Sequence, residues 1–175
     1  MTVTATFADL AFRHPTADDH PAVVDAVDAW WGERSRAARP PRWWLGHAGS
    51  TAWLAETAAG RLVGFVLGLR SPDHPSEGLL LEVAVDPGWR RHGLGRALVA
   101  RFGAALAGAG AERLVAEAWP GNPGAIRFLE ALGFEAVAGP GSQRLYGIPA
   151  WPDHDGPGED RAILTRRLPL DLPRP

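Results

Sequence analysis

The feature of this sequence that most constrains its fold is the segment 83–98, which reads VAVDPGWRRHGLGRAL. An apolar run ends at Asp86-Pro87, a basic and glycine-containing stretch follows, and a helical pattern begins directly after it. Glycines let a backbone approach a ligand closely, and the amides at a helix start converge on an anion. The segment therefore predicts a strand, a phosphate-binding loop and a helix within an α/β domain.

Basic side chains surround the two glycines of this loop, Gly93 and Gly95. They are Arg90, Arg91, His92 and Arg96. A diphosphate needs this combination of amide donors and positive charge. The chain has 18 arginines and no lysine. Because arginine is its general-purpose cation, a single arginine near the glycines is weak evidence for a binding site. A second interpretation stays open, in which the two glycines only permit tight packing at the start of the helix.

Two other glycine loops are rejected. The nucleoside-triphosphate loop requires a lysine after its last glycine, and the chain has no lysine. The dinucleotide-binding fingerprint requires a third glycine where this sequence has Leu98.

The periodicity along the chain predicts the order β-α-α-β-β-β-α-β-α-β-β in a mixed α/β fold with one sheet. Thr16 is predicted to cap the first helix, which ends around Arg39-Pro-Pro. The stretch 139–160 is rich in glycine and proline, and we expect a long ordered loop there. One predicted strand ends at Arg13, and the others span 50–56, 62–69, 79–85, 113–118, 134–138 and 161–168. The strand 79–85 is expected to be buried on both faces. The helices after the first are predicted over 42–47, 93–106 and 122–132.

Composition narrows the function classes. A chain of 175 residues with 46% hydrophobic residues suits one domain, and a net charge of −2 argues against nucleic-acid or membrane binding. The absence of cysteine excludes disulfides, thiolate zinc sites and cysteine nucleophiles. The six histidines show no metal-ligand spacing, so no metal is expected. Without a signal peptide or a long apolar span, we expect a cytoplasmic protein.

Two motifs in this chain resemble the signatures of the GNAT acyltransferases. Arg90-x-x-Gly93-x-Gly95 matches the first signature, and Asn122-x-x-Ala-Ile with Gly133-Phe134 matches the second. They stand in the order that the family requires. The resemblance implies the GNAT acyl-CoA N-acyltransferase fold, which has a single mixed, mostly antiparallel sheet with splayed central strands, flanked by helices. It implies one domain over 1–175, with its cofactor core at about 79–134.

The resemblance further implies an acetyl-CoA cosubstrate. Its pantetheine would pair with the strand residues Val83, Ala84 and Val85. The residues expected at the diphosphate are Arg90, Arg91, His92, Gly93, Leu94, Gly95 and Arg96. Asn122 and Phe128 would line the far side of the cofactor arm.

The implied activity is acetyl transfer to a primary amine of a small molecule or peptide, by direct attack in a ternary complex. A weakly catalytic acyl-CoA-binding or sensor module of the same fold is the alternative. Dimers are common in the family, so a homodimer also stays open.

Acetyl transfer to an amine needs a base for the ammonium proton and a proton for the leaving thiolate. Glu117, alone among apolar residues near a strand end, is the first candidate base, because partial desolvation there would raise its pKa. Glu82 on the neighbouring strand is the second. Either glutamate could instead be paired with an arginine, and Glu117 could simply face solvent. Leu129 stands where the family usually has the tyrosine that acts as general acid. Tyr146, the only tyrosine, could take over this role or merely cover the sheet.

The acceptor wall is the least defined part of the prediction. Trp30-Trp31 and Trp43-Trp44 are expected either in the core or in an aromatic acceptor pocket. The acidic residues Asp153, Asp155, Glu159 and Asp160 could add negative potential near that pocket or form an ordinary exposed loop.

Overall fold

A computed structural model describes residues 9–31 and 40–171. Within them the chain forms one large sheet with the strand order β1-β2-β3-β4-β5-β9-β6 and a separate pair, β7-β8. The strands are β1 Ala11–Arg13, β2 Trp53–Glu56, β3 Leu62–Arg70, β4 Glu77–Val85, β5 Arg113–Ala118, β6 Glu135–Ala136, β7 Gln143–Leu145, β8 Ile148–Ala150 and β9 Ala162–Arg167. The helices are α1 His20–Trp31, α2 Arg42–His47, α3 Leu94–Gly108 and α4 Pro123–Ala131.

The pairing confirms the predicted mixed, mostly antiparallel sheet. Every neighbouring pair of the large sheet is antiparallel except β4 and β5, which run parallel. The crossover from β4 to β5 contains α3, as a parallel connection requires. In the middle of the sheet, the carboxyl ends of the neighbouring strands β4 and β5 therefore lie at the same edge.

The two faces of the sheet carry separate apolar cores. Side chains of α1 and α2, such as Val27 and Leu45, pack with Phe65 and Leu67 of β3 on one face. Side chains of α3 and α4 form a larger cluster on the other face. Gly68 of β3 lies so close to Phe102 of α3 that any side chain there would collide with the ring. The sheet is thus covered on both sides, with α3 held closest to it.

The entry to α1 follows the sequence signal. Thr16 caps a 3-10 turn at Ala17–Asp19, and the Asp19 carboxylate accepts a hydrogen bond from the Thr16 amide at 2.7 Å. Arg13 bridges this turn to the sheet by contacting both Asp19 and Glu56. These bonds fix the start of α1 against β2. The helix end predicted at Arg39-Pro-Pro lies outside the described residues.

Three predictions about the strands were wrong. The stretch predicted as a loop contains the hairpin β7–β8, which is the second sheet. The strand expected from Ser50 begins only at Trp53. The strand β4 is not buried on both faces, because Leu81 is 49% exposed. None of the described helices is long and apolar enough to cross a membrane.

Candidate functional site

A cleft opens in the middle of the sheet where β4 and β5 diverge. The two strands pair from Glu77–Arg113 to Leu80–Ala116, and no further pair follows among the described residues. Beyond that point β5 pairs only with β9, whereas β4 continues along β3. The pairing register with β3 skips Leu81, which is therefore a β-bulge. The bulge turns β4 away from β5, so backbone groups of residues 81–85 are left without a strand partner on that side.

The cleft lies on the face of the sheet that carries α1 and α2. Leu114, Ala116 and Ala118 of β5 belong to the opposite core, so the alternating residues Val115 and Glu117 face α1 and α2. The cleft has a volume of about 140 Å³, and Leu79, Leu80, Leu81, Val115 and Glu117 line it. An apolar slot with a carboxylate at its rim can accept a narrow, flexible chain.

The start of α3 lies directly after the end of β4. Gly93 precedes the helix with φ +84°, and Arg91 has φ +65°. No side chain in the described part of the chain caps this helix, so its first-turn amides have no side-chain acceptor. A helix of 15 residues with such a start attracts anions. The geometry fits the predicted diphosphate cradle, whose ligand residues stay a prediction.

Arg90 braces the loop. Its Nε donates to the Val85 carbonyl at 3.0 Å, and its Nη2 donates to the Trp30 carbonyl at 3.2 Å. The Asp86 side chain accepts a hydrogen bond from the Gly88 amide at 2.8 Å, which is a second contact that holds the same loop. The neighbouring Arg91 and His92 are exposed. Arg90 therefore has a structural explanation, whereas the two residues after it remain available to a ligand.

Gly95 fits the tight-packing interpretation. A Cβ built on Gly95 would lie 3.0 Å from Cε2 and 3.2 Å from Cζ of Phe128, and 3.7 Å from the Val85 side chain. The glycine thus lets α3 approach α4 and the end of β4. It brings Phe128 next to the phosphate loop, which the sequence motif alone did not require.

The second motif forms the start of α4. Asn122 accepts a hydrogen bond from the Ala125 amide at 3.1 Å through Oδ1, and Pro123 occupies the first helical position. Asn122 is therefore a helix cap. Leu129 is 5% exposed and packs in the core with Leu132. The position at which the family usually carries its tyrosine is apolar and buried here.

Glu82 is the more desolvated of the two candidate bases. It pairs in register with Leu67, so it shares the α1 and α2 face with Glu117. Burial raises the pKa of Glu82 from its ordinary 4.5 to about 7. Its Oε2 atom is buried and has no hydrogen-bond partner among the described residues. No arginine in the described ranges pairs with Glu82, so the arginine-paired interpretation has no support there.

Glu117 has a different environment from the one expected. Its side chain is 46% exposed, so the predicted partial desolvation is found at Glu82 instead. No arginine pairs with Glu117 in the described ranges; its Oε1 lies 3.9 Å from His154 Nε2. Potential ligand atoms of Glu117, His154 and Asp155 lie within 4.8 Å of one another, but Asp155 is held by Arg161 at 2.7 Å.

Tyr146 lies at the tip of the β7–β8 hairpin and is 72% exposed. Its ring meets the edge of the Trp119 ring, with centroids 5.9 Å apart and planes at 64°. Trp119 follows β5 directly and is 42% exposed. The hairpin thus returns the only tyrosine to the strand end that carries Glu117.

The remaining predicted acceptor residues divide between core and surface. Trp30 stacks on Phe65 with centroids 6.0 Å apart, and Trp43 is 58% exposed. Arg161 contacts both Asp155 and Glu159, which reduces their negative potential. Asp153 and Asp160 each accept a backbone amide, so all four acidic residues serve the loop.

The sequence itself matches the model of a known family. The match to the acetyltransferase (GNAT) family extends over residues 16–134, about two thirds of the chain. The chain belongs to the GNAT acetyltransferase family. The predicted family and fold are thereby confirmed.

Three individual relatives share between 20% and 33% identity with this chain. The L-2,4-diaminobutyric acid acetyltransferase of Nocardia farcinica is 33% identical over 98 residues, which are 56% of this chain and 51% of the relative. The chain thus spans about half the length of this curated relative. The ribosomal-protein-S18-alanine N-acetyltransferase of Escherichia coli is 25% identical with a TM-score of 0.61, covering 94% of this chain and 96% of the other. Ard1 of Thermoplasma volcanium has a TM-score of 0.70 at 20% identity, covering 92% and 99%.

Sequence reasoning missed two residues beside the GNAT cleft, Trp119 and His154. Trp119 was not distinguished from the other seven tryptophans, because nothing in its spacing marks it. His154 lies 37 positions from Glu117, so no local motif connects the two. Only the pairing of β5 with β9 and the path of the chain 151–161 bring them together.

Proposed function

We propose that this protein transfers the acetyl group of acetyl-CoA to a primary amine of a small molecule or a peptide. The observation that carries the proposal is the divergence of β4 and β5 next to the uncapped start of α3. An unpaired strand edge that leads to a set of free helix amides suits a ligand with a long polar arm and a diphosphate.

The residues of the loop fit such a ligand. Residues 83–85 offer main-chain groups along the cleft, and the amides of Gly93, Leu94 and Gly95 lie at the positive end of α3. The exposed Arg91 and His92 supply donors beside them. Bound acetyl-CoA would supply an activated thioester, and the protein would contribute orientation and a base.

We propose Glu82 as that base. A carboxylate whose pKa is about 7 can hold a proton and release it near neutral pH, which is what removal of an ammonium proton requires. Its Oε2 is buried and accepts no hydrogen bond within the described ranges, so no contact there stabilises the ionised form. Glu117 remains the second candidate because it lines the cleft directly.

Activity and binding should be measured together. Release of free thiol from acetyl-CoA is followed with an amine panel that includes L-2,4-diaminobutyrate and a peptide with an N-terminal alanine. The substrates in the names of the two relatives motivate these two acceptors. Calorimetry measures CoA affinity in parallel. Thiol release above the solvent background with at least one amine supports the proposal.

The pH profile then separates the two glutamates. If Glu82 is the base, kcat/KM for the wild type rises with pH up to about 7, because the carboxylate must lose its proton first. Glu82→Gln should lower kcat by about a hundredfold or more and remove that rise. Equal loss in Glu117→Gln, with Glu82→Gln active, would assign the base to Glu117.

A second function, acyl-CoA binding with little turnover, is favoured by one observation. Leu129 is buried and cannot donate a proton to a leaving thiolate. Tight CoA binding without thiol release for any amine of the panel would support this binding module over the enzyme.

A further inference from the structure

A group of polar and aromatic side chains lies where β5 ends, and its member Glu117 lines the cleft. It consists of Glu117, Trp119, Tyr146 and His154, and we name it the rim cluster. Glu117 and Trp119 are separated by one residue at the end of β5, so they lie on the same side of the extended chain. Tyr146 contacts Trp119 from the hairpin, and His154 contacts Glu117 from the loop before β9.

The aromatic half of the rim cluster is exposed and held in place. Trp119 and Tyr146 meet edge to face and are 42% and 72% exposed. Tyr146 and Gly147 form the two-residue turn of the hairpin with φ +50° and +91°. A tyrosine at positive φ is uncommon and costs free energy, so the turn holds the ring at the rim despite strain. The two rings therefore present aromatic surface to solvent, where an organic cation can contact it.

Glu117 is the carboxylate of the rim cluster, and its Oε1 lies 3.9 Å from Nε2 of His154. The nearby carboxylates of Asp155 and Glu159 are matched by Arg161, whereas Glu117 has no arginine partner in the described part of the chain. A solvent-facing carboxylate next to two aromatic rings is a favourable environment for an organic cation.

Such an environment does not suit the nitrogen that is acetylated. Attack on a thioester requires a neutral amine, and contact with a carboxylate and aromatic rings favours the ammonium form instead. On the neighbouring strand β4, the more desolvated Glu82 is the proposed group that accepts the proton. The two carboxylates therefore suit two different nitrogens.

We propose that the rim cluster binds a second, protonated group of the acceptor, so that the preferred acceptors are small diamines or other amines with an additional cationic group. This inference rests on the proposed acetyltransferase function, of which it specifies the substrate class. Each exposed contact of this kind changes affinity by roughly two- to fivefold. The three contacts of Glu117, Trp119 and Tyr146 together should give a preference of at least about tenfold.

The test compares 1,4-diaminobutane with butylamine, which differ only in the second amine. For the wild type, kcat/KM should be at least about tenfold higher for the diamine, mainly through KM, and salt should weaken this preference because the cluster is exposed. Glu117→Gln combined with Tyr146→Ala should bring the two amines within about twofold. Tyr146→Phe keeps the ring and should retain most of the preference. Arg144→Ala, on the same hairpin but outside the cluster, is the control.

Direct binding distinguishes failure of this inference from failure of the proposed function. Calorimetry measures 1,4-diaminobutane binding to the CoA-loaded protein, which requires no turnover. Binding that Glu117→Gln weakens, without acetylation of any amine, supports the rim cluster and contradicts the enzyme. Acetylation of both amines with equal kcat/KM contradicts the rim cluster and leaves the enzyme intact. Loss of kcat for both amines alike in Glu117→Gln would mean that Glu117 acts on the reacting nitrogen, which also overturns the inference.

Discussion

Replacing Glu82 with glutamine should stabilise the protein at alkaline pH. Burial raises the pKa of Glu82 to about 7, so the folded state binds a proton that the unfolded state releases near 4.5. Between these two pH values the folded state holds more protons, and its free energy of unfolding falls as pH rises. Glutamine cannot ionise and escapes this loss.

The interval from 4.5 to about 7 sets the magnitude. One pH unit corresponds to about 1.4 kcal/mol, so the ionised Glu82 destabilises the fold by about 3 kcal/mol at pH 8. The buried and unpartnered Oε2 explains why the charge is so poorly tolerated. The stability difference between Glu82→Gln and the wild type should therefore be about 3 kcal/mol more favourable at pH 8 than at pH 4.

Urea unfolding at several pH values between 4 and 8, followed by circular dichroism, measures this difference. Subtracting the two proteins at each pH cancels the other titrating groups, which both share. Glu117→Gln is the matched control, because its side chain is nearly half exposed and should not reproduce the trend. A difference that stays constant from pH 4 to pH 8 would show that folding does not raise the pKa of Glu82, and it would refute the argument from burial.

Three further predictions concern the loop, the second motif and the tyrosine. Gly95→Val should weaken CoA binding measured by calorimetry by at least about tenfold, because its side chain would push Phe128 away from the phosphate loop, whereas Gly88→Ala, whose Cβ meets only Asp86, should not. Asn122→Ala should lower the free energy of unfolding by about 1 kcal/mol through loss of the α4 cap, as measured in urea. Tyr146→Phe should change kcat by less than about tenfold, since an exposed hydroxyl at a hairpin tip is poorly positioned as an acid; a hundredfold loss with intact CoA binding would show the reverse.

Local chemistry made much of the fold predictable. The Thr16 cap, the glycine before α3 and the Asn122-Pro123 start of α4 each act over a few residues, and all three stand where the sequence indicates. The apolar run of β4 similarly fixed its central position in the sheet. These signals depend on backbone hydrogen bonds and φ preferences, which a short segment determines by itself.

The hairpin β7–β8 could not be predicted in the same way. Its turn is Tyr146-Gly147, whereas two-residue turns with positive φ usually carry asparagine or aspartate before glycine. Its strands are three residues long and include Pro149, so neither alternation nor β-propensity marks them. The pairing is stabilised by packing against β9, which the local sequence does not encode.

The relative burial of the two glutamates also depends on tertiary structure. Both lie in apolar strands, and the sequence favoured Glu117 because it stands alone among apolar residues near a strand end. The difference arises from the bulge at Leu81 and from the point at which β4 and β5 separate. Register of this kind is set between strands, so a single strand cannot reveal which carboxylate loses its water.

The divergence of β4 and β5 gives one structural cause for two electrostatic environments. Where the strands separate, Glu82 stays against the core of α1 and α2, while Glu117 follows β5 toward β9 and into solvent. A single carboxylate could not both release a proton near neutral pH and hold a protonated amine, because the first role needs desolvation and the second needs a stable negative charge. Under the proposed function, a sheet that splits between two glutamates would provide both. The same opening that admits a cosubstrate arm would therefore also distinguish the amine that reacts from the amine that is only bound.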